Sequence, residues 1–261
     1  MNSTLDLSAW AIVALCCAAL AAGWLDAIGG GGGLIQLPAI LLIFPPQATA
    51  MALGTSKLSA IVGTSAAAFN YSRTISPPLK TLRPMMAAAF AGSALGALLA
   101  THLRTEIFRP VILILLFCVW IVTLRNPTQN WRTIDDHVTP QHSLVLPIVM
   151  GAGIGFYDGA IGPGTGIFLL AGLVQLFGFS FLRASATAKF VNVATNLAAI
   201  ITFGIGGHIA FAVGLLMGGA NLIGGYLGSR LAISKGSEFV RTVMLVVIGG
   251  LILKLGWEIF S

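Results

Sequence analysis

The sequence predicts an all-α polytopic membrane protein built from two inverted repeats of five segments each, with short broken helices after glycine runs. Of its 261 residues, 57% are hydrophobic and only 8% are charged, and the mean hydropathy is +0.94. A soluble domain usually has about 25% charged residues. Continuous apolar runs such as 111–120 lack the alternation of a transmembrane β-barrel. The composition excludes a soluble enzyme and a nucleic-acid-binding protein, despite a pI near 9.7.

Ten apolar segments follow one another along the chain. They span about 9–28, 34–44, 51–71, 84–103, 108–124, 143–160, 166–178, 184–204, 209–229 and 239–256. The second and seventh are too short for a full crossing, which takes about 20 residues, and each follows a glycine-rich run, at 29–33 and 162–166. Residues 190–229 contain no Asp, Glu, Lys or Arg. This stretch is too long for one crossing, so we expect a break at Gly204–His208.

The two halves of the chain repeat one plan. Gly23–Asp26 (GWLD) aligns with Gly155–Asp158 (GFYD), and Thr55–Lys57 (TSK) aligns with Thr187–Lys189 (TAK), both at an offset of 132 residues. Glycine runs follow the first motif in each half. We therefore divide the chain into a first repeat at 1–125, a polar linker at 126–142 and a second repeat at 143–261.

An odd number of segments per repeat predicts that the two halves have opposite orientations. If all ten segments change sides, the basic residues outside the membrane divide nine against three. The larger set is Arg73, Lys80, Arg83, Arg125, Arg132, Arg183, Arg230, Lys235 and Arg241, and the smaller is Arg104, Arg109 and Lys254. If the short segments are re-entrant instead, the division is six against six. Because basic residues are enriched on the cytoplasmic side, we expect a cytoplasmic linker and both termini outside.

Lys57 and Lys189 are the most informative single residues, because each lies inside an apolar segment. A charge in the bilayer core costs about 2.5–3.5 kcal/mol on insertion scales and usually marks a functional site. An anionic substrate or a carboxylate is the expected partner. The alternative is that each lysine extends its ammonium to the membrane surface.

Backbone and polar groups near these lysines are the expected remainder of an anion site. A helix N-terminus after a glycine run presents free N–H groups and positive partial charge. The candidate residues are Gly31, Gly32, Gly33, Gly164, Thr165 and Gly166 at the runs, and Thr55, Thr187, Asn192 and Asn196 beside the lysines. The alternative is that these residues serve only close helix packing and interhelical hydrogen bonds.

Asp26 and Asp158 form the second duplicated pair of charged residues, each directly before a glycine run. Two interpretations stay open. Each carboxylate pairs with a lysine or with backbone N–H groups and fixes the break, or each titrates and couples transport to protons.

Signatures of enzymes and of cofactor binding are missing from the sequence. The glycine runs are not followed by the Lys-Ser/Thr of a phosphate-binding loop, and HExxH and CxxC patterns do not occur. We therefore expect no catalytic residue, no metal and no cofactor.

The motifs together resemble the TauE/SafE family of sulfite exporters, also described as four-toluene-sulfonate uptake permeases. The resemblance rests on IGGGGGLIQLP at 28–38, GTSK at 54–57, GFYDGAIGPGTG at 155–166 and TAKFVN at 187–192. It implies an inner-membrane secondary transporter of small sulfur-containing anions, such as sulfite or organosulfonates, with gradient-driven or proton-linked export.

The sequence leaves three functions open: a transporter whose two inverted repeats give alternating access, a passive anion channel on the same scaffold, and a membrane-embedded enzyme or redox partner. The expected partners are a small anion and the lipid bilayer, without nucleic acid. The sequence leaves the oligomeric state open, a homodimer included.

Overall fold

The computed structural model describes residues 7–45, 48–101, 117 and 144–260. Within these ranges the chain is helical, without strands. The helices are α1 (Ala9–Gly29), α2 (Gly33–Ile43), α3 (Thr49–Ser72), α4 (Leu79–Ala100), α5 (Val145–Ala160), α6 (Thr165–Phe177), α7 (Phe181–Ile205) and α8 (Phe211–Phe260). The predicted segment 108–124, apart from residue 117, and the predicted linker 126–142 lie outside the described residues.

The described residues of the other nine predicted segments lie in these helices, apart from one or two at the ends, and the predicted break at Gly204–His208 is confirmed between α7 and α8. The last two segments share α8, which is interrupted at Gly236 with φ 79° and ψ −170°. We expected the first of them to end near residue 229, where charges begin, but the helix continues through Lys235. Lysine and arginine are good helix formers, so Arg230 and Lys235 mark an end of the apolar stretch and not of the helix.

Among the described residues, four stretches are long and apolar enough to cross a membrane: α1, α4, α7 and Phe211–Val247 of α8. Large side chains on their outward faces and on α2, such as Trp10, Leu42 and Ile205, are 83–87% exposed. Such a surface suits lipid and not water. The predicted all-helical membrane fold is confirmed by these helices.

Two short helices, α2 and α6, follow the glycine runs as the sequence predicts. They have 11 and 13 residues, so at 1.5 Å per residue they are about 17 and 20 Å long. The hydrocarbon core is about 30 Å thick. Neither helix therefore spans it alone.

Helices of the first half pack along helices of the second half. The helix α1 lies against α8, and α4 lies against α5, while α3 and α7 pack on each other and on α8 and α4 respectively. A Cβ at Gly155 of α5 would overlap the backbone of Ala89 in α4, which shows how closely the two backbones approach. The two halves are therefore interlocked, although the inverted orientation of the repeats stays a prediction.

Candidate functional site

The two breaks in the helices lie against each other. Gly30, with φ 85°, turns the chain from α1 into α2, and Gly164, with φ 86°, precedes α6. Both residues adopt the left-handed conformation that glycine permits. The backbones of Gly30 and Gly166 are in direct contact, because a Cβ on either residue would overlap the other. The N-terminal ends of α2 and α6 therefore lie side by side.

Beside this meeting point, Lys57 of α3 forms an ion pair with Asp158, near the C-terminal end of α5. Its Nζ atom lies 2.7 Å from Asp158 Oδ2, and both side chains are less than 10% exposed. The ammonium also lies against the second glycine run, since a Cβ on Gly162 would be 3.1 Å from Lys57 Nζ. A lysine of the first half thus pairs with an aspartate of the second half.

The second ion pair crosses between the halves in the opposite sense. Lys189 Nζ, from α7, lies 2.9 Å from Asp26 Oδ2, near the C-terminal end of α1. It also donates to the main-chain oxygen of Asp26. The Thr64 hydroxyl donates to the same carboxylate oxygen at 3.4 Å. Asp26 is therefore held by a lysine through both its side chain and its backbone.

A cavity of about 60 Å³ lies between the pairs and the two helix starts. A water molecule needs roughly 10–15 Å³ measured in this way. The cavity therefore has room for a few waters or one small ion. Ten of the predicted site residues line it: Asp26, Gly32, Gly33, Lys57, Asp158, Gly164, Thr165, Gly166, Asn192 and Asn196.

The remaining predicted site residues lie outside the cavity. The Thr55 hydroxyl accepts from the Ala210 N–H at 3.0 Å, and the Thr187 hydroxyl donates to the Arg183 carbonyl at 2.8 Å. Each threonine stands two residues before its lysine, which places it about 200° around the helix and on another face. Gly31 packs on Val247.

Lys189, the last of the predicted site residues, also does not line the cavity. Its side chain is 2% exposed and lies behind Asp26. It therefore acts on the cavity through that aspartate.

Sequence reasoning missed an amide network on the α2 side of the cavity, centred on Gln36. Its Oε1 accepts from Asn221 Nδ2 at 2.7 Å and from the Ser59 hydroxyl at 3.3 Å. Its Nε2 donates to the Ser56 carbonyl at 2.8 Å. Gln36 and Asn221 are lone amides in apolar stretches, which was the available signal. The position equivalent to Gln36 is Phe168, so the search for duplicated residues passed over it.

One side-chain oxygen at the cavity, Asn192 Oδ1, is buried without a hydrogen-bond partner among the described residues. Buried polar atoms are nearly always paired, so this oxygen can accept a hydrogen bond from a group that enters the cavity.

Charged pairs buried where broken helices meet, inside an apolar helical chain, define the class of polytopic membrane transporters. Residues 15–255 match the family described as Sulfite exporter TauE/SafE. The chain belongs to this family, and it is a membrane transporter.

Curated relatives agree with this assignment. The chain is 38% identical over 245 residues to the probable membrane transporter protein ORF9 of Sinorhizobium sp, covering 93% of this chain and 91% of the relative. It is 32% identical over 246 residues to the probable membrane transporter protein YfcA of Escherichia coli K12, covering 94% and 90%. A probable membrane transporter protein of Haemophilus influenzae is 33% identical over 243 residues, covering 93% of each chain. No solved structure matches the chain.

Proposed function

We propose that the protein is a secondary transporter that exports a small sulfur-containing oxyanion across the inner membrane. The observation that carries the proposal is the position of Lys57. Its ammonium lines the cavity at the N-terminal ends of two short helices, with a carboxylate as its partner.

The chemistry of the lining favours an anion with several oxygens. Lysine offers three donors on a compact charge. The N-terminal ends of α2 and α6 add positive partial charge. Asn196, which also lines the cavity, has a side-chain amide that can donate hydrogen bonds, whereas the Thr165 hydroxyl already donates to the Gly162 carbonyl at 2.7 Å. These groups suit tetrahedral or pyramidal oxyanions.

The size of the cavity favours an inorganic ion over an organosulfonate. At about 60 Å³, it holds the equivalent of a few waters. Sulfite fits that volume better than taurine or sulfoacetate, which have a carbon chain as well. Sulfite is also the substrate in the family's name.

The crossed contacts support a mechanism in which the two repeats move against each other. Both ion pairs join one half to the other, and both packed helix pairs, α1 with α8 and α4 with α5, do the same. Transporters of inverted repeats place the substrate at such an interface and rock around it. We propose a cytoplasmic linker and external termini for this chain.

The test is sulfite export from proteoliposomes loaded with sulfite. We expect saturable flux for the wild type and at least a tenfold loss for Lys57→Gln, because a charge-assisted hydrogen bond contributes about 1.5–3 kcal/mol. The matched control is Lys80→Gln, the same change at an exposed residue of α4, which should keep wild-type flux. Undiminished flux in Lys57→Gln would refute the proposal. Flux that never saturates would indicate a passive anion channel.

The substrate itself is addressed by thermal unfolding of the purified protein with sulfite, thiosulfate, sulfate, sulfoacetate and taurine. We expect the melting temperature to rise most with the small inorganic ions. A rise with sulfoacetate or taurine alone would contradict the size argument.

A further inference from the structure

Among the described residues, the charges at the cavity sum to zero before any anion enters. Asp26, Lys57 and Asp158 are the described ionisable residues that line it, and Lys189 neutralises Asp26 from behind. Two carboxylates are therefore balanced by two ammonium groups. An anion adds negative charge that none of these side chains balances. Uncompensated charge is expensive in a medium of low dielectric constant.

The helix ends do not remove this imbalance. The N-termini of α2 and α6 contribute partial positive charge that favours the anion. However, if Lys57 turns to the anion, Asp158 stays behind without a counter-charge. A buried carboxylate without a counter-charge binds a proton more readily.

The two carboxylates are held differently, and this decides which of them is free to take up a proton. Asp26 keeps Lys189, which also donates to its backbone, and the Thr64 hydroxyl. Neither contact involves Lys57. Asp158 has its ion pair with Lys57, whose ammonium also faces the cavity. Only the second pair can open toward a bound anion without breaking the end of α1.

Other ionisable groups around Asp158 are few. Helix α6 has no ionisable residue. In α7, the ionisable residue closest in sequence to Asn192, which lines the cavity, is Lys189, and Lys189 is paired with Asp26. The ionisable residues of α4 are Lys80 and Arg83, both at the start of the helix. Gly159, the residue after Asp158, lies against Ser93, which is farther along α4. Tyr157, next to Asp158, donates its hydroxyl proton to the Pro163 carbonyl.

An unpartnered acceptor is already present for the proton. Asn192 Oδ1 lies on the same cavity as Asp158 and is buried without a hydrogen bond. A protonated carboxyl group is a donor, whereas a carboxylate is only an acceptor. A neutral Asp158 therefore brings a hydrogen-bond donor to a cavity that holds this unpaired acceptor.

We propose that one proton enters with each anion and binds Asp158, while Lys57 turns from that carboxylate to the anion. This inference rests on the proposed function. The Lys189–Asp26 pair stays closed throughout. When the anion leaves, Asp158 releases its proton and recovers Lys57, so the anion and the proton cross the membrane together.

The test is calorimetric titration of the full-length detergent-solubilised protein with sulfite and with thiosulfate. Each titration is run in two buffers of equal pH and different ionisation enthalpy, so that the difference in heat gives the protons taken up. Thiosulfate is included because it does not itself exchange protons near neutral pH. We expect about one proton per anion, and an affinity that falls about tenfold per pH unit as the pH rises above neutral.

Three variants assign the proton. Asp158→Asn should bind the anion with no proton uptake and little dependence on pH. Asp158→Glu, which keeps a carboxylate, should retain uptake of about one. Ser72→Ala is the control, because its exposed hydroxyl donates to the Phe69 carbonyl of its own helix, and it should behave as the wild type.

The outcomes separate this inference from the proposed function. Anion binding without proton uptake in the wild type overturns the inference and leaves the transporter proposal standing. Full uptake in Asp158→Asn, or its loss in Asp158→Glu, overturns the assignment to Asp158. If neither anion binds the wild type, the proposed function fails and the inference fails with it.

Discussion

The two ion pairs of the site occupy equivalent positions in the repeats, yet their surroundings differ. Lys189 is 2% exposed and bonds both the carboxylate and the main chain of Asp26. Lys57 is 8% exposed, lines the cavity and has the Asp158 carboxylate as its ion-pair partner. The same residue types at the same spacing therefore form one pair that fastens a helix end and one pair that can exchange its partner.

The largest effect on stability is expected for Lys189→Met, which nearly keeps the length of the side chain and removes its charge. We expect a loss of about 3 kcal/mol of stability, because the Asp26 carboxylate, which is 20% exposed, and the main chain at the end of α1 both lose the buried lysine that holds them. Thermal unfolding in detergent and the yield of monodisperse protein measure it. Adding Asp26→Asn should recover part of the loss. An unchanged melting temperature in Lys189→Met would show that the pair does not fasten α1.

The second prediction concerns Lys57→Met, the matched change at the other pair. We expect a smaller loss of stability than in Lys189→Met, because Lys57 pairs with the Asp158 carboxylate, whereas Lys189 bonds both the carboxylate and the main chain of Asp26. The stabilisation by sulfite should disappear, with at least a tenfold weaker affinity. Melting curves with and without sulfite give both quantities. If Lys57→Met proves the less stable variant, the roles of the two pairs are reversed.

The smallest effect on stability is expected at Thr64, which bonds the carboxylate of the Lys189–Asp26 pair. Thr64→Val removes the 3.4 Å hydrogen bond to Asp26 and nearly preserves the side-chain volume. We expect a loss of about 0.5–1.5 kcal/mol, with proton uptake unchanged. Thr64→Ser should restore most of the stability. A larger loss than in Lys189→Met would mean that the hydroxyl, and not the lysine, holds the carboxylate.

Much of the fold is predictable because the apolar runs are long and glycine and charged residues separate them. The breaks before α2 and α6 follow from the glycine runs, and the duplicated Lys and Asp residues identify the centre of the molecule. How the four charges pair is not predictable from spacing. The pairing crosses between helices that lie more than a hundred residues apart in the chain, and only the packing of the halves decides it.

Position around a helix and asymmetry between the repeats explain the remaining differences. Thr55 is close to Lys57 in sequence, but a separation of two residues in a helix places its side chain on another face. Gln36 is not part of a duplicated pair, because the equivalent residue of the second repeat is Phe168. A search for duplicated residues finds what the halves share, whereas Gln36 belongs to what distinguishes them.

The crossing of the ion pairs has a consequence for the biogenesis of the protein. The ribosome delivers Asp26 and Lys57 to the membrane before Asp158 and Lys189 have been made. During that interval each early charge lacks its final partner in a setting where a bare charge costs about 2.5–3.5 kcal/mol. Insertion of α5 and α7 supplies both partners. The first half of the chain therefore completes its own tertiary structure only after the second half has entered the bilayer.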